Sequence, residues 1–207
     1  MKIAIISDIH NNEVNLKKVL DYCKEKNIKT IICCGDLASQ ETLDFFNENF
    51  EGEIHYTFGN MDNDQLTDIE RHLEPKGALS VQGVRKYKQT FIYKKFGELA
   101  VGIGSLQSRD PIPARIAFVH YPDVARELCE SGKYNFVFYG HTHKPWVASA
   151  PDFAKASTGK EAAADQGQKK CTMLNPGNVA GELYPPTFAV WHTEDDKFEL
   201  IRIHDLK

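Results

Sequence analysis

Residues 2–11 read K-I-A-I-I-S-D-I-H-N, and this stretch decides the fold. Lys2 to Ser7 is a short apolar run of the kind that forms a strand buried on both faces. Asp8 and His10 stand where the run stops. The pattern then recurs. Thr30 to Cys34 (T-I-I-C-C) is a second buried strand running into Gly35-Asp36, and Ile54 to Phe58 is a third running into Gly59-Asn60. Between the first two, Asn12 to Asn27 carries Leu16, Val19, Leu20 and Cys23 at the i, i+3, i+4, i+7 spacing of one buried helix face, with Asn11 or Asn12 as N-cap. Ser39 to Asn49 reads as the next helix. This β-α-β-α-β order predicts a parallel sheet, and such sheets collect ligands beyond the carboxyl ends of their strands. Asp8, Asp36 and Asn60 all fall there.

The second half is richer in strands. They are expected near Thr90–Lys95, Leu99–Ile103, Ile116–His120, Asn135–Tyr139, Pro145–Ser149, Cys171–Leu174, Phe188–His192 and Phe198–Ile203. Helices are expected over Asp64–Leu73 and Pro122–Ser131, the latter with Pro122 in its first turn. So many strands imply a second, partly antiparallel sheet packed on the first, with helices outside. Two more polar clusters close strands here: His120 in F-V-H-Y, and His141 and His143 in Y-G-H-T-H.

Asp8, His10, Asp36, Asn60, His120, His141 and His143 mix hard oxygen ligands with imidazoles. That mixture suits two divalent metals, the arrangement used for in-line attack on phosphorus. Two dications about 3.5–4 Å apart repel, so an anionic oxygen must lie between them, and a carboxylate and a bound hydroxide both serve. Imidazoles and the Asn60 amide add ligand atoms without adding charge. In Asp8-Ile9-His10 the outer side chains share one direction if the backbone is still extended. The residues therefore point to a dinuclear metallohydrolase acting on phosphate esters.

The ordered set D-x-H, G-D, G-N-x-D, H, G-H-T-H resembles the calcineurin-like metallophosphoesterase superfamily. The opening M-K-I-A-I-I-S-D-I-H-N is similar to its YfcE-type phosphodiesterase group, relatives of the retromer subunit Vps29, and Asn175-Pro176-Gly177 matches the N-P-G turn of that group. The match runs from Met1 to about Val147 and again from Cys171 to the end. The resemblance implies an α/β fold, a four-layer α-β-β-α sandwich of two mixed sheets. It implies that Asp8, His10 and His143 bind a first metal, that Asn60, His120 and His141 bind a second, and that Asp36 and a water or hydroxide bridge the two. Asp36, Asn60 and His120 would then carry the catalysis, with manganese as the first choice of metal and iron, zinc or nickel as the others. Two positions depart from the superfamily pattern. Met61 stands where many members carry a histidine that protonates the leaving alkoxide, and Tyr121-Pro122 follows His120 in place of a glycine-led pair.

Blander readings apply to residues outside this set. Asp62 reads as an N-terminal helix residue and not as a ligand. His55, His72, His192 and His204 read as surface or sheet residues. Arg85, Lys86, Lys88, Lys94 and Lys95 read as a solvated strand face. Arg109 and Arg115, in a Pro-rich loop before His120, are weak candidates for phosphate contact. Residues 148–170, small and polar, read as a flexible surface insertion.

Composition sets the outer limits. A chain of 207 residues, 42% hydrophobic, can bury one core and be a single domain over residues 1–207. No apolar stretch is long enough for a membrane span, and no signal peptide is evident, so the cytoplasm is expected. Five cysteines form neither a zinc spacing nor an even disulfide set, so reduced buried thiols are expected, with Cys33 and Cys34 on opposite faces of a strand. A net charge of −4 makes nucleic acid an unfavoured partner and a small phosphate ester the favoured one. Oligomeric state stays open. The competing reading from another class is a Vps29-like interaction scaffold; a phosphomonoesterase or nuclease is the alternative among enzymes.

Overall fold

In the computed structural model, described over residues 1–62, 96–103, 112–149 and 171–207, two five-stranded sheets stack face to face. Strands β1 (Lys2–Ile6), β2 (Thr30–Cys33) and β3 (Glu53–Tyr56) pair in parallel, with Ile5 opposite Ile32 and Ile32 opposite His55. Helices α1 (Glu13–Glu25) and α2 (Gln40–Asn49) make the crossovers. Asn12 caps α1 by accepting from the Asn15 N–H, and Ser39 caps α2 by accepting from that of Thr42. The second sheet has the order β4 (Phe96–Ile103), β5 (Ile112–Val119), β6 (Phe136–Phe138), β8 (Thr172–Asn175), β7 (Trp146–Ser149). Its centre is parallel and both its edges are antiparallel. Helix α3 (Pro122–Glu130), with Pro122 in its first turn, links β5 to β6.

The last two strands do not extend the second sheet. β9 (Thr187–His192) and β10 (Lys197–Arg202) return to the first, giving the order β10-β9-β1-β2-β3 with both new pairings antiparallel. The expected strand at Thr90–Lys95, the helix at Asp64–Leu73, the basic stretch from Arg85 to Lys95, His72 and Arg109 lie outside the described residues. Of the insertion at 148–170, Ala148 and Ser149 belong to β7, and residues 150–170 lie outside the described residues too.

Period-two alternation sorts the side chains into layers. On β1, Ala4 and Ile6 pack outward against Leu16, Val19 and Leu20 of α1, while Ile3 and Ile5 face the second sheet. On β5, Ile116 and Phe118 face inward and Ala117 and Val119 lie under Ala125 and Cys129 of α3. The result is an α-β-β-α sandwich. Trp191 sits between the sheets at 0% exposure, with the Phe136 ring 4.7 Å away and Phe198 stacked at 5.7 Å. Fully burying a large apolar side chain of this kind is worth about 1.5–3 kcal/mol, and the inner layer holds ten such groups among the described residues.

Cysteine chemistry follows the expectation in one place and departs from it in another. Cys33 belongs to the outer core and Cys34 to the layer between sheets, on opposite faces as adjacent strand residues must be. Together with Cys23 they are free buried thiols, and burial pushes the Cys23 thiol up to about 12. Cys129 and Cys171 instead form a disulfide, correcting the expectation of reduced thiols throughout. It fastens the end of α3 to the residue before β8 across 42 positions of sequence, a pairing that spacing alone does not reveal.

Candidate metal centre

All seven singled-out side chains lie just beyond the carboxyl ends of β1, β2, β3, β5 and β6. The turns that carry them are unusual. Asp8, His10, Asp36, His141 and His143 have positive φ, at 53°, 45°, 58°, 68° and 58°. Left-handed backbone costs a non-glycine residue on the order of 1–3 kcal/mol and persists only where its surroundings impose it, and such strain gathers at functional sites. Here the strand-end loops zip together. The N–H groups of Ile9 and His10 both donate to the Asp36 carbonyl, at 2.8 and 3.0 Å, and the Asp8 N–H donates to that of Gly35 at 3.0 Å. Asp8 and His10 therefore reach the site from a tight turn, not from the extended backbone that their spacing first suggested.

The side chains converge in two groups. Asp8, His10 and His143 bring ligand atoms within 4.8 Å of one another, as do Asp8, Asp36 and His120. On the other side, Asn60 Oδ1 lies 3.1 Å from His120 Nε2 and 3.0 Å from His141 Nδ1, and the two nitrogens are 3.2 Å apart. Asp36 Oδ2 lies between the groups, 3.4 Å from His10 Nε2 and 3.3 Å from His120 Nε2. Its Oδ1 accepts the Met61 N–H at 2.8 Å. Asp8, Asp36, His120 and His143 are buried, whereas Asn60, Met61 and His141 are exposed. The open side of the site is therefore the Asn60–His141 side.

Hydrogen bonds behind the rings set which nitrogen points inward. His120 Nδ1 is 2.8 Å from the Cys34 carbonyl, which accepts only from N–H, so in the neutral ring Nε2 carries the lone pair. His10 Nδ1 is 2.9 Å from Glu182 Oε2 and leaves Nε2 facing Asp36. Charges follow this placement. The Asp36 carboxylate, with help from Glu182 and against burial, raises His10 to about 9. Burial pushes the Asp36 carboxyl up, but His10 and His120 outweigh it and hold it well below the ordinary carboxylate range. Burial lowers His120 and Asp36 more than compensates; Asp8 raises His143 against burial. Protons and metal ions thus compete for the same nitrogens.

The arrangement fits a pair of divalent ions. His10 Nε2 is buried and makes no well-directed hydrogen bond among the described residues; its near neighbour is the Asp36 carboxylate at 3.4 Å, an arrangement that a shared cation would satisfy. The mixed nitrogen and oxygen donors suit manganese, iron, zinc or nickel.

Three supports escaped the sequence reading. The fully buried Asp62 carboxylate accepts from the N–H groups of Asp36, Gly59 and Ala38 at 2.8, 2.7 and 2.9 Å, tying the β2 and β3 loops together. Gly59 is needed for close approach, since a Cβ there would lie 2.0 Å from Asp36 Oδ1. Glu182 touches two of the histidines, by its side chain and its carbonyl. Arg115 is not at the site. Its guanidinium lies over the Tyr134 ring, and it stands on β5 five positions before His120, roughly 16 Å away. His55 is a buried sheet residue facing Phe118, His192 is half-buried and His204 exposed.

The pattern of residues over residues 1–196 matches the calcineurin-like phosphoesterase superfamily domain. The chain belongs to that family. Among its relatives is phosphodiesterase MJ0936 of Methanocaldococcus jannaschii, 25% identical over 202 residues that cover 97% of this chain and 98% of the other. A solved archaeal phosphodiesterase superposes with a TM-score of 0.63 at 25% identity, covering 98% of this chain and 99% of its own. YfcE, a phosphoesterase from E. coli, shares the fold at a TM-score of 0.51 and 15% identity, with 98% and 100% covered. Among the described residues no helix is long and apolar enough to cross a membrane.

Proposed function

We propose that this calcineurin-like phosphoesterase is a dinuclear metal-dependent phosphodiesterase, working as one domain over residues 1–207 on a small phosphate ester. The observation that carries the reading is the place of Asp36 Oδ2, 3.3–3.4 Å from an inward-facing nitrogen of each histidine group. One carboxylate oxygen shared by two donor sets is the arrangement that a pair of mutually repelling dications requires. The similarity to a protein named as a phosphodiesterase supports the substrate class.

On this reading Asp8, His10 and His143 hold the first ion, Asn60, His120 and His141 hold the second, and Asp36 serves both. Manganese is the first candidate. Bound ions supply Lewis-acid stabilisation of charge on phosphoryl oxygens and lower the pKa of an attacking water. The protein's own groups do the rest. Asp36 keeps negative charge between the two positions. His120, fixed by the Cys34 carbonyl, offers Nε2 in one tautomer. Asn60 contributes Oδ1 inward and retains an amide N–H₂ able to donate to a non-bridging phosphoryl oxygen. The exposed Asn60–His141 side admits the ester.

Met61 cannot donate a proton, so departure of the leaving group depends on its own acidity or on water. An activated diester such as bis(p-nitrophenyl) phosphate should be hydrolysed in preference to alkyl monoesters, and a panel of both with metal-defined protein tests this. Turnover of neither, with any of the four metals, would favour the scaffold reading. Met61→His is expected to help alkyl leaving groups selectively, by a modest part of the ~10²–10⁴-fold that a well-placed general acid provides. Nitrophenolate needs no proton and should gain little. The check is the ratio of the two rates in wild type and variant at matched metal content; an unchanged ratio places position 61 away from the leaving group.

A further inference from the structure

The two metal positions proposed above are backed differently, and one residue makes the difference. Glu182 follows the N-P-G turn in a loop fixed by Asn178, whose Oδ1 accepts the Glu182 N–H at 3.0 Å and whose Nδ2 donates to the His143 carbonyl at 3.2 Å. The same loop is anchored to the metal-bearing turn, the Ala180 N–H donating to the Asp8 carbonyl at 2.9 Å. From this base the Glu182 carboxylate reaches His10 Nδ1 at 2.9 Å, and its carbonyl lies 3.3 Å from His143 Nδ1. Both histidines of the first position thus meet one residue on their outer nitrogen. On the other side His120 Nδ1 has, among the described residues, a peptide carbonyl as its partner, that of Cys34, and the ligand from the loop after β3 is a neutral amide.

A carboxylate accepting from the outer N–H of a ligating imidazole makes the inner nitrogen a stronger donor and holds the ring in one tautomer; losing such a partner typically costs ~10–100-fold in metal affinity. We infer that Glu182 is a positioning residue that makes the first metal position the tighter of the two, acting through His10 and leaving the second position untouched. The inference rests on the two-metal reading above. It separates the contributions of Glu182: its carbonyl contact to His143 survives any side-chain change, whereas the contact to His10 does not.

The experiment is stepwise Mn²⁺ binding to metal-free protein, by calorimetry with chelator competition, for wild type, Glu182→Gln, Glu182→Ala and His143→Ala. Wild type should bind two ions in unequal steps. Glu182→Ala should weaken the tighter step by ~10–100-fold and leave the weaker one where it is. Glu182→Gln, which still accepts from N–H but lacks the charge, should fall between. Metal-free wild type and Glu182→Ala should melt alike. A tight step unchanged in Glu182→Ala, or both steps weakened equally, overturns the role of Glu182 while the two-metal reading stands. Wild type that takes up no pair of ions, or His143→Ala that binds as wild type does, overturns the two-metal reading itself and the inference with it.

Discussion

Asp36→Asn is expected to abolish metal-dependent turnover while leaving the fold intact. The amide oxygen can keep the bond from the Met61 N–H, now 2.8 Å from Oδ1. The new amide nitrogen then stands where Oδ2 stood, within 3.4 Å of His10 Nε2 and 3.3 Å of His120 Nε2. Its hydrogens can bond the inward lone pairs of those rings, which satisfies the metal-free site and blocks the loaded one. Loss of the shared anion also removes what offsets repulsion between two ions. The loss of activity should exceed the ~10–100-fold typical of groups that merely orient a ligand. Metal counting and diester turnover on the same preparation are the check. Two ions retained at normal activity would remove Asp36 from its shared position.

Asp62→Ala should be the most damaging single change to stability near the site. Its carboxylate is fully buried and is the acceptor for three backbone N–H groups, those of Asp36, Ala38 and Gly59. Hydrogen bonds to a charged group contribute about 1.5–3 kcal/mol each, and alanine leaves all three donors without that acceptor. The expected loss is about 3 kcal/mol or more, in the range reserved for broken buried networks. Asp62→Asn should cost less, because one oxygen survives to accept. Urea unfolding of the metal-free variants gives the order. A loss under about 1 kcal/mol in Asp62→Ala would mean the β2 and β3 loops are held together by something else.

The halves of the chain differ in how far their sequence could be read. The crossover half was legible because its strands are short apolar runs, its helices carry a clean buried stripe, and each candidate ligand stands where apolar character stops. Destination was not legible for β9. Phe188 to Trp191 is buried on both faces, and nothing in such a run says which of two sheets it joins; its pairing with β1 is a tertiary outcome. The Cys129–Cys171 disulfide was hidden for a similar reason, since it depends on where α3 comes to lie against β8. In the site, the seven side chains that converge were legible from their place at strand ends, and their conformation was not. Asp8 and His10 read as two strand-face neighbours, whereas loop-to-loop hydrogen bonds with Gly35 and Asp36 hold them in left-handed turns. Asp62 and Glu182 act through hydrogen bonds that close only in three dimensions, and in sequence they look like any acid in a loop.

Whether these seven side chains hold catalytic metal is decided most sharply by diester hydrolysis across chelation and reconstitution. Purified protein is stripped exhaustively with a chelator, its metal content is counted, and bis(p-nitrophenyl) phosphate turnover is followed as Mn²⁺ is returned. Turnover should be negligible in the stripped protein and should recover to saturation near two ions per chain, with no recovery in Asp36→Asn. Full activity in the verified metal-free protein would contradict a catalytic role for metal.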